Sequence, residues 1–134
     1  MARTRVLIVD DHEFFRQCLR SLLESRAEWE ICGEASDGLE AVEAAKKLRP
    51  DIVLMDVSMQ YVNGLEATKQ ICQELPKTRV LIVSQHDSPH MTSAAADAGA
   101  FAYVTKSQVA HDLFTVLDAA SKQPVSRDGL SRDQ

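Results

Sequence analysis

No strongly hydrophobic run in the sequence exceeds four residues (Val6 to Val9, Ile52 to Met55, Val80 to Val83), so no segment of it reads as a membrane span. The first run follows Arg3 and Arg5 but stops at Asp10 and Asp11, too soon for the apolar core of a signal peptide. Cysteine is scarce. Cys18, Cys32 and Cys72 are scattered, with neither the pairing of a disulfide framework nor the close spacing of a zinc site. They are expected to be small buried apolar residues of a cytoplasmic protein. The four histidines (His12, His86, His90, His111) form no convincing metal pattern, because Pro89 interrupts the one helical spacing, His86 to His90. Basic charge is in deficit, with 15 Lys plus Arg against 20 Asp plus Glu and a net charge of -5. Such a surface repels a phosphate backbone, so general nucleic-acid binding by this chain alone is not expected. Nor does a Gly-rich loop follow the first apolar run, which argues against a nucleotide-binding domain.

What is present fits one soluble globular domain: 134 residues, 45% hydrophobic and 26% charged. One grammar recurs five times, a short apolar run followed by a turn or cap and then a helical pattern. The predicted strands are Arg5 to Asp10, Trp29 to Ala35, Asp51 to Asp56, Arg79 to Ser84 and Phe101 to Thr105. The central apolar run of the first lacks alternation, as a parallel strand covered on both faces does, and the second is shorter and weaker. Phe14, Phe15, Cys18, Leu19, Leu22 and Leu23 fall at helical spacing and predict one buried stripe. Asp37 and Glu40 have the spacing of a capping box, opening a second helix that ends near Leu48 before Pro50. Asn63 with Glu66 opens a third helix through about Leu75; Ser88 and Pro89 open a fourth, closed by Gly99. Leu113, Val116, Leu117 and Ala120 stripe a fifth. Residues 1–121 are thus expected to form the domain, and 122–134 a polar tail or cut linker. Alternating strands and helices predict an α/β fold: a doubly wound, flavodoxin-like parallel sheet of five strands in the order 2-1-3-4-5, with five helices.

In open parallel sheets function gathers at the carboxyl ends of the strands. There stand Asp10 and Asp11 after the first strand, Asp56 at the third, Ser84 at the fourth and Lys106 after the fifth. Two carboxylates about 4 Å apart repel by roughly 4 kcal/mol at an effective dielectric near 20. One lysine cannot neutralise three carboxylates. A hard divalent cation is the natural remainder, and an oxygen-only site that keeps several waters suits Mg²⁺. Cation, lysine and hydroxyl together make a nest for a phosphoryl group, with one Asp left to attack phosphorus.

These residues resemble the receiver domain of two-component response regulators, over a stretch from about Arg3 to Ser121. The family's acidic pair matches Asp10 and Asp11 in LIVDDH, and its phosphoacceptor matches Asp56 in DIVLMDVSM. The switch hydroxyl matches Ser84 in VLIVSQH, the aromatic switch Tyr103 and the phosphate-binding lysine Lys106 in GAFAYVTKS. VDDHEFFRQCLRSLLE and GAFAYVTKS look most like the NarL/FixJ (LuxR-type) subfamily, whose members usually append a helix-turn-helix DNA-binding domain. The resemblance implies transfer of a phosphoryl group from a histidine kinase, or a small phosphodonor, to Asp56. It implies Mg²⁺ held by Asp11, Asp56 and the backbone carbonyl of Ser58, with Asp10 acting directly or through water. It further implies a phosphorylation-dependent homodimer, and DNA contact only through an effector domain outside this chain.

Some positions depart from the family pattern. Gln60 follows Met59 where such receivers usually carry Pro, and Ser107 follows Lys106 where many carry a Pro, often cis. Gly64 stands where the family places its glycine. None of the departures removes a reacting group. Two other readings stay open on the residues alone. One is a receiver-like module that signals by binding without phosphorylation. The other is a dehalogenase-type phosphatase with an Asp nucleophile, although that family places a second Asp two residues after the first, and Asp10 and Asp11 are adjacent. For Asp10 and Asp11 the plain alternative is helix capping; for His86, near the mouth of the site, it is an exposed loop histidine.

Overall fold

A run such as Val6-Leu-Ile-Val9 is buried along its whole length because successive side chains enter two different cores. The computed structural model describes residues 3–57, 64–85 and 89–122. Five strands, β1 (Thr4–Val9), β2 (Trp29–Ala35), β3 (Ile52–Asp56), β4 (Arg79–Ser84) and β5 (Ala102–Thr105), alternate with five helices. These are α1 (Glu13–Glu24), α2 (Gly38–Leu48), α3 (Gly64–Glu74), α4 (Pro89–Ala98) and α5 (Val109–Lys122). The strands are parallel in the order β2-β1-β3-β4-β5, as predicted. Leu7, Val9, Val53, Met55, Val80 and Ile82 point to one core, closed by Ala41, Val42 and Ala45 of α2, Ala67 and Ile71 of α3 and Ala95 of α4. Val6, Ile8, Ile52, Leu54, Leu81 and Val83 point to the other, closed by Leu19 and Leu23 of α1 and Leu113, Leu117 and Ala120 of α5. Among the described residues no helix is long and apolar enough to cross a membrane.

Local chemistry sets the element ends. Asp37 accepts a hydrogen bond from the Glu40 N–H at 2.8 Å, while the Glu40 carboxylate reaches back to the Ser36 N–H at 2.6 Å. This is the expected capping pair, with its return bond one residue earlier than a capping box makes it. Arg49 (φ 50°) closes α2 in the left-handed region, before Pro50. Gly99 (φ 103°) closes α4, and an added Cβ there would stand 3.1 Å from the Cys72 sulfur. The expected caps Asn63 and Ser88, and the tail from Gln123, lie outside the described residues.

Two packing expectations need correction. Phe14 is 78% exposed, not part of the buried stripe. It precedes Phe15 by one residue, about 100° around the helix, so Phe15, Leu19, Leu22 and Leu23 face the core while Phe14 turns outward. The three cysteines are half-buried rather than buried. Cys32 sits at an irregularity of β2, where the register with β1 jumps from Ile31 to Gly33.

Candidate functional site

Strand β1 ends at Val9 because the next residues turn away from the ladder. The Asp10 N–H still donates to Ala35 O at 3.1 Å, but its carboxylate accepts from the His12 N–H at 2.8 Å. His12 is the N-cap of α1 and makes no side-chain cap bond, so neither Asp10 nor Asp11 caps the helix. Arg16, one turn into α1, donates to the carbonyl oxygen of Asp10 at 2.5 Å and to Glu34 of β2 at 3.1 Å. Arg20 donates to the other Glu34 oxygen, and that bond pushes its guanidinium further above its ordinary value. This chain of charge-assisted bonds ties the acidic turn to the first helix and the edge strand.

Asp56 is the last residue of β3 and Ser84 the last of β4, and each is only 1% exposed. Ser84 pairs with Thr105 in the sheet, and its carbonyl accepts from the Lys106 N–H at 2.7 Å. That bond brings the lysine stem alongside the end of β4. The Lys106 Nζ then lies 2.8 Å from Asp10 Oδ2, 3.6 Å from Asp56 Oδ2 and 4.4 Å from the centre of the Phe15 ring. The Asp10 approach is an ion pair without the angles of a hydrogen bond. Tyr103, three residues before the lysine, is half-buried and packs against the α2–α3–α4 core. Asp10, Asp11, Ser84, Asp56 and Lys106 therefore stand together at the carboxyl end of the sheet, with Tyr103 on β5. Ser58 and His86, along with Met59 and Gln60, lie outside the described residues. No described peptide bond is cis, and Ser107 Oγ shares a hydrogen bond with Thr105 Oγ1 at 3.1 Å.

Ligand atoms of Asp10, Asp11, His12 and Asp56 all lie within 4.8 Å of one another. At that separation two carboxylates repel by about 3.5 kcal/mol at an effective dielectric of 20. Two of the acids are buried, and three carboxylates against one ammonium leave a charge of -2. The donor set thus fits a hard divalent cation, with carboxylate oxygens converging and Asp11 at the solvent side. His12 was legible only as a scattered histidine. Its Nδ1 lies 3.0 Å from Asp11 and 3.2 Å from Asp10, which its place directly after the acidic pair would have signalled. Arg16 and Phe15 were also missed as parts of the site, because helical spacing shows which face is apolar and not which groups it meets.

A doubly wound sheet whose carboxyl edge buries two acids against a lysine defines an α/β module built to hold a cation and an anion together. Residues 6–118 match the model of the response regulator receiver domain family, and the chain belongs to that family. It is 41% identical over 118 residues to the transcriptional regulatory protein LiaR of Bacillus subtilis, covering 88% of this chain and 56% of LiaR. It is also 41% identical over 132 residues to a protein-glutamate methylesterase/protein-glutamine glutaminase of Geobacter sulfurreducens, covering 97% of this chain and 34% of that enzyme. A crystal structure of a LuxR-family two-component response regulator from Aurantimonas superposes with a TM-score of 0.85 at 33% identity, covering 95% of this chain and 91% of that one. The chain spans about half the length of the transcriptional regulators it matches. It is a receiver domain of the two-component response regulators, a phosphoacceptor module of the LuxR-type group, rather than a dehalogenase-type phosphatase.

Proposed function

We propose that Asp56 is the phosphoacceptor, and that the other groups at the sheet edge serve its reaction. The observation that carries this reading is Lys106 Nζ standing between two buried carboxylates, 2.8 Å from Asp10 and 3.6 Å from Asp56. A buried acid at a strand end, facing a cation already shared with a second acid, is placed to take a phosphoryl group on one of its own oxygens while that cation meets the phosphoryl charge. An Asp56 oxygen attacks phosphorus in line. The bond from phosphorus to the donor breaks, and its electron pair leaves with the donor, an imidazole nitrogen of a sensor histidine kinase or acetate of acetyl phosphate. Asp10, Asp11 and Asp56, with the backbone carbonyl of Ser58, would hold Mg²⁺. That ion supplies charge neutralisation for the phosphoryl oxygens and allows the acids to stand together. Lys106 and Ser84 bind the transferred oxygens, positioning and stabilising charge rather than moving protons. The Ser84 contact and the half-buried Tyr103 form the switch that carries phosphorylation to an output face.

The wider reading follows from this chemistry and from the relatives. The module takes its phosphoryl group from a histidine kinase, pairs with a second copy when phosphorylated, and works in the cytoplasm. Its output is transcription through a DNA-binding domain joined to it, and it turns over no external substrate. The experiment is intact mass after acetyl phosphate and Mg²⁺, for the parent and for Asp56→Asn. A metal-dependent gain of one phosphoryl group, lost in Asp56→Asn, is the expected result. Failure of the parent to gain mass or to respond to beryllofluoride would reject it in favour of a module that signals by binding alone.

A further inference from the structure

We infer that Phe15 is a positioning residue for Lys106, its ring face bracing the ammonium that Asp10 and Asp56 also hold. This rests on the reading of Lys106 as the group that meets the phosphoryl oxygens. The Nζ lies 4.4 Å from the ring centre, inside the range where an aromatic quadrupole attracts a cation. Lys106 is 12% exposed, so that attraction is only weakly screened by water. The ring itself is half-buried and packed against the α1–α5 core, so the face it offers is fixed in place.

The chemistry explains why a ring suits this position. A lysine stem has four rotatable bonds, and Asp10 at 2.8 Å would by itself draw the ammonium away from Asp56 at 3.6 Å. A polar neighbour in place of the ring would restrain it by consuming one of its three N–H donors. An aromatic face restrains it by charge alone and leaves the donors for phosphoryl oxygens. Phe14, the same residue type one position earlier, is solvent-exposed and provides the internal control.

The experiment introduces one, two and three ring fluorines into Phe15, which weaken the quadrupole with little change of shape, beside Phe15→Leu, Phe15→Tyr and Phe14→Leu. Phosphorylation by acetyl phosphate with Mg²⁺ should slow stepwise with fluorine number, by about three- to tenfold across the series. Phe15→Leu should fall within that range, while Phe15→Tyr and Phe14→Leu should stay near the parent. The Lys106 ε-methylene proton resonances, read without donor, should be shifted upfield by the ring and lose that shift in Phe15→Leu. Equal rates across the fluorine series, or Lys106 resonances indifferent to Phe15→Leu, would overturn the inference. A parent chain that shows the ring shift but never takes a phosphoryl group would overturn the phosphoacceptor reading and leave the brace standing.

Discussion

Gly64 opens α3 directly against the backbone of Asp56: a Cβ there would overlap the Asp56 carbonyl oxygen and stand 2.9 Å from Val57 Cα. The obstacle is backbone, which cannot rotate aside as a side chain does. Gly64→Ala should therefore push the start of α3 away from the end of β3, costing about 1–3 kcal/mol of stability. Urea unfolding reads the first effect. Slower phosphorylation by acetyl phosphate reads the second, the displacement of the Asp56 carboxylate.

Asp56→Asn should raise stability in metal-free buffer by about 1–3 kcal/mol, because it removes one of two buried acids that share a single lysine. The same substitution should shrink the rise in melting temperature that Mg²⁺ produces. Thermal melts of parent and variant, with Mg²⁺ and with a chelator, test both at once. A variant less stable than the parent without metal would contradict the electrostatic account.

Ser84→Ala should still accept the phosphoryl group but signal poorly. One hydrogen bond to a charged group contributes about 1.5–3 kcal/mol, whereas moving a population from 1:99 to 99:1 takes about 5.5 kcal/mol. Ser84 would thus supply roughly a quarter to a little over half of a complete switch, leaving the rest to Lys106, the metal and Tyr103. Intact mass measures acceptance. Sedimentation of the phosphorylated forms measures switching, and equal self-association of variant and parent would contradict the role given to the hydroxyl.

Arg16→Gln should loosen the acidic turn. The side chain donates to the Asp10 carbonyl and to Glu34, so its loss leaves that carboxylate to Arg20 and removes the clamp on the turn. A destabilisation of about 1.5–3 kcal/mol is expected, together with weaker Mg²⁺ binding. Calorimetric titration with Mg²⁺ separates the two effects, and unchanged affinity would assign Arg16 to folding alone.

Burial pushes the Cys32 thiol above its ordinary value of 9.0. The neutral thiol is the form the fold favours, so its contribution to stability is complete below that value and fades as pH rises through the raised one. At any given pH less thiolate is present than in the unfolded chain. Mass-resolved alkylation by iodoacetamide should show the Cys32 pH profile displaced upward in the native protein and restored in urea. Identical native and unfolded profiles would contradict the shift.

The five strands and their helices are legible along the chain, because their apolar runs are short and bounded by residues with strong local preferences. Asp37, Pro50, Pro89 and Gly99 act on their own neighbours, so their effect is visible without the fold. Parallel order followed from alternation, and the position of the acids, the hydroxyl and the lysine followed from reading strand ends. What faces those groups is set by packing between elements. Phe14 and Phe15 satisfy the same helical pattern, yet one meets solvent and the other meets Lys106, since helical periodicity gives a face and not its partner. His12 and Arg16 joined the site because the turn after β1 folds the Asp10 carboxylate onto one and its carbonyl onto the other. The distances from Lys106 to Asp10, Asp56 and Phe15, by contrast, depend on how β1, β3, β4 and β5 are ordered in one sheet, which is written in no single segment.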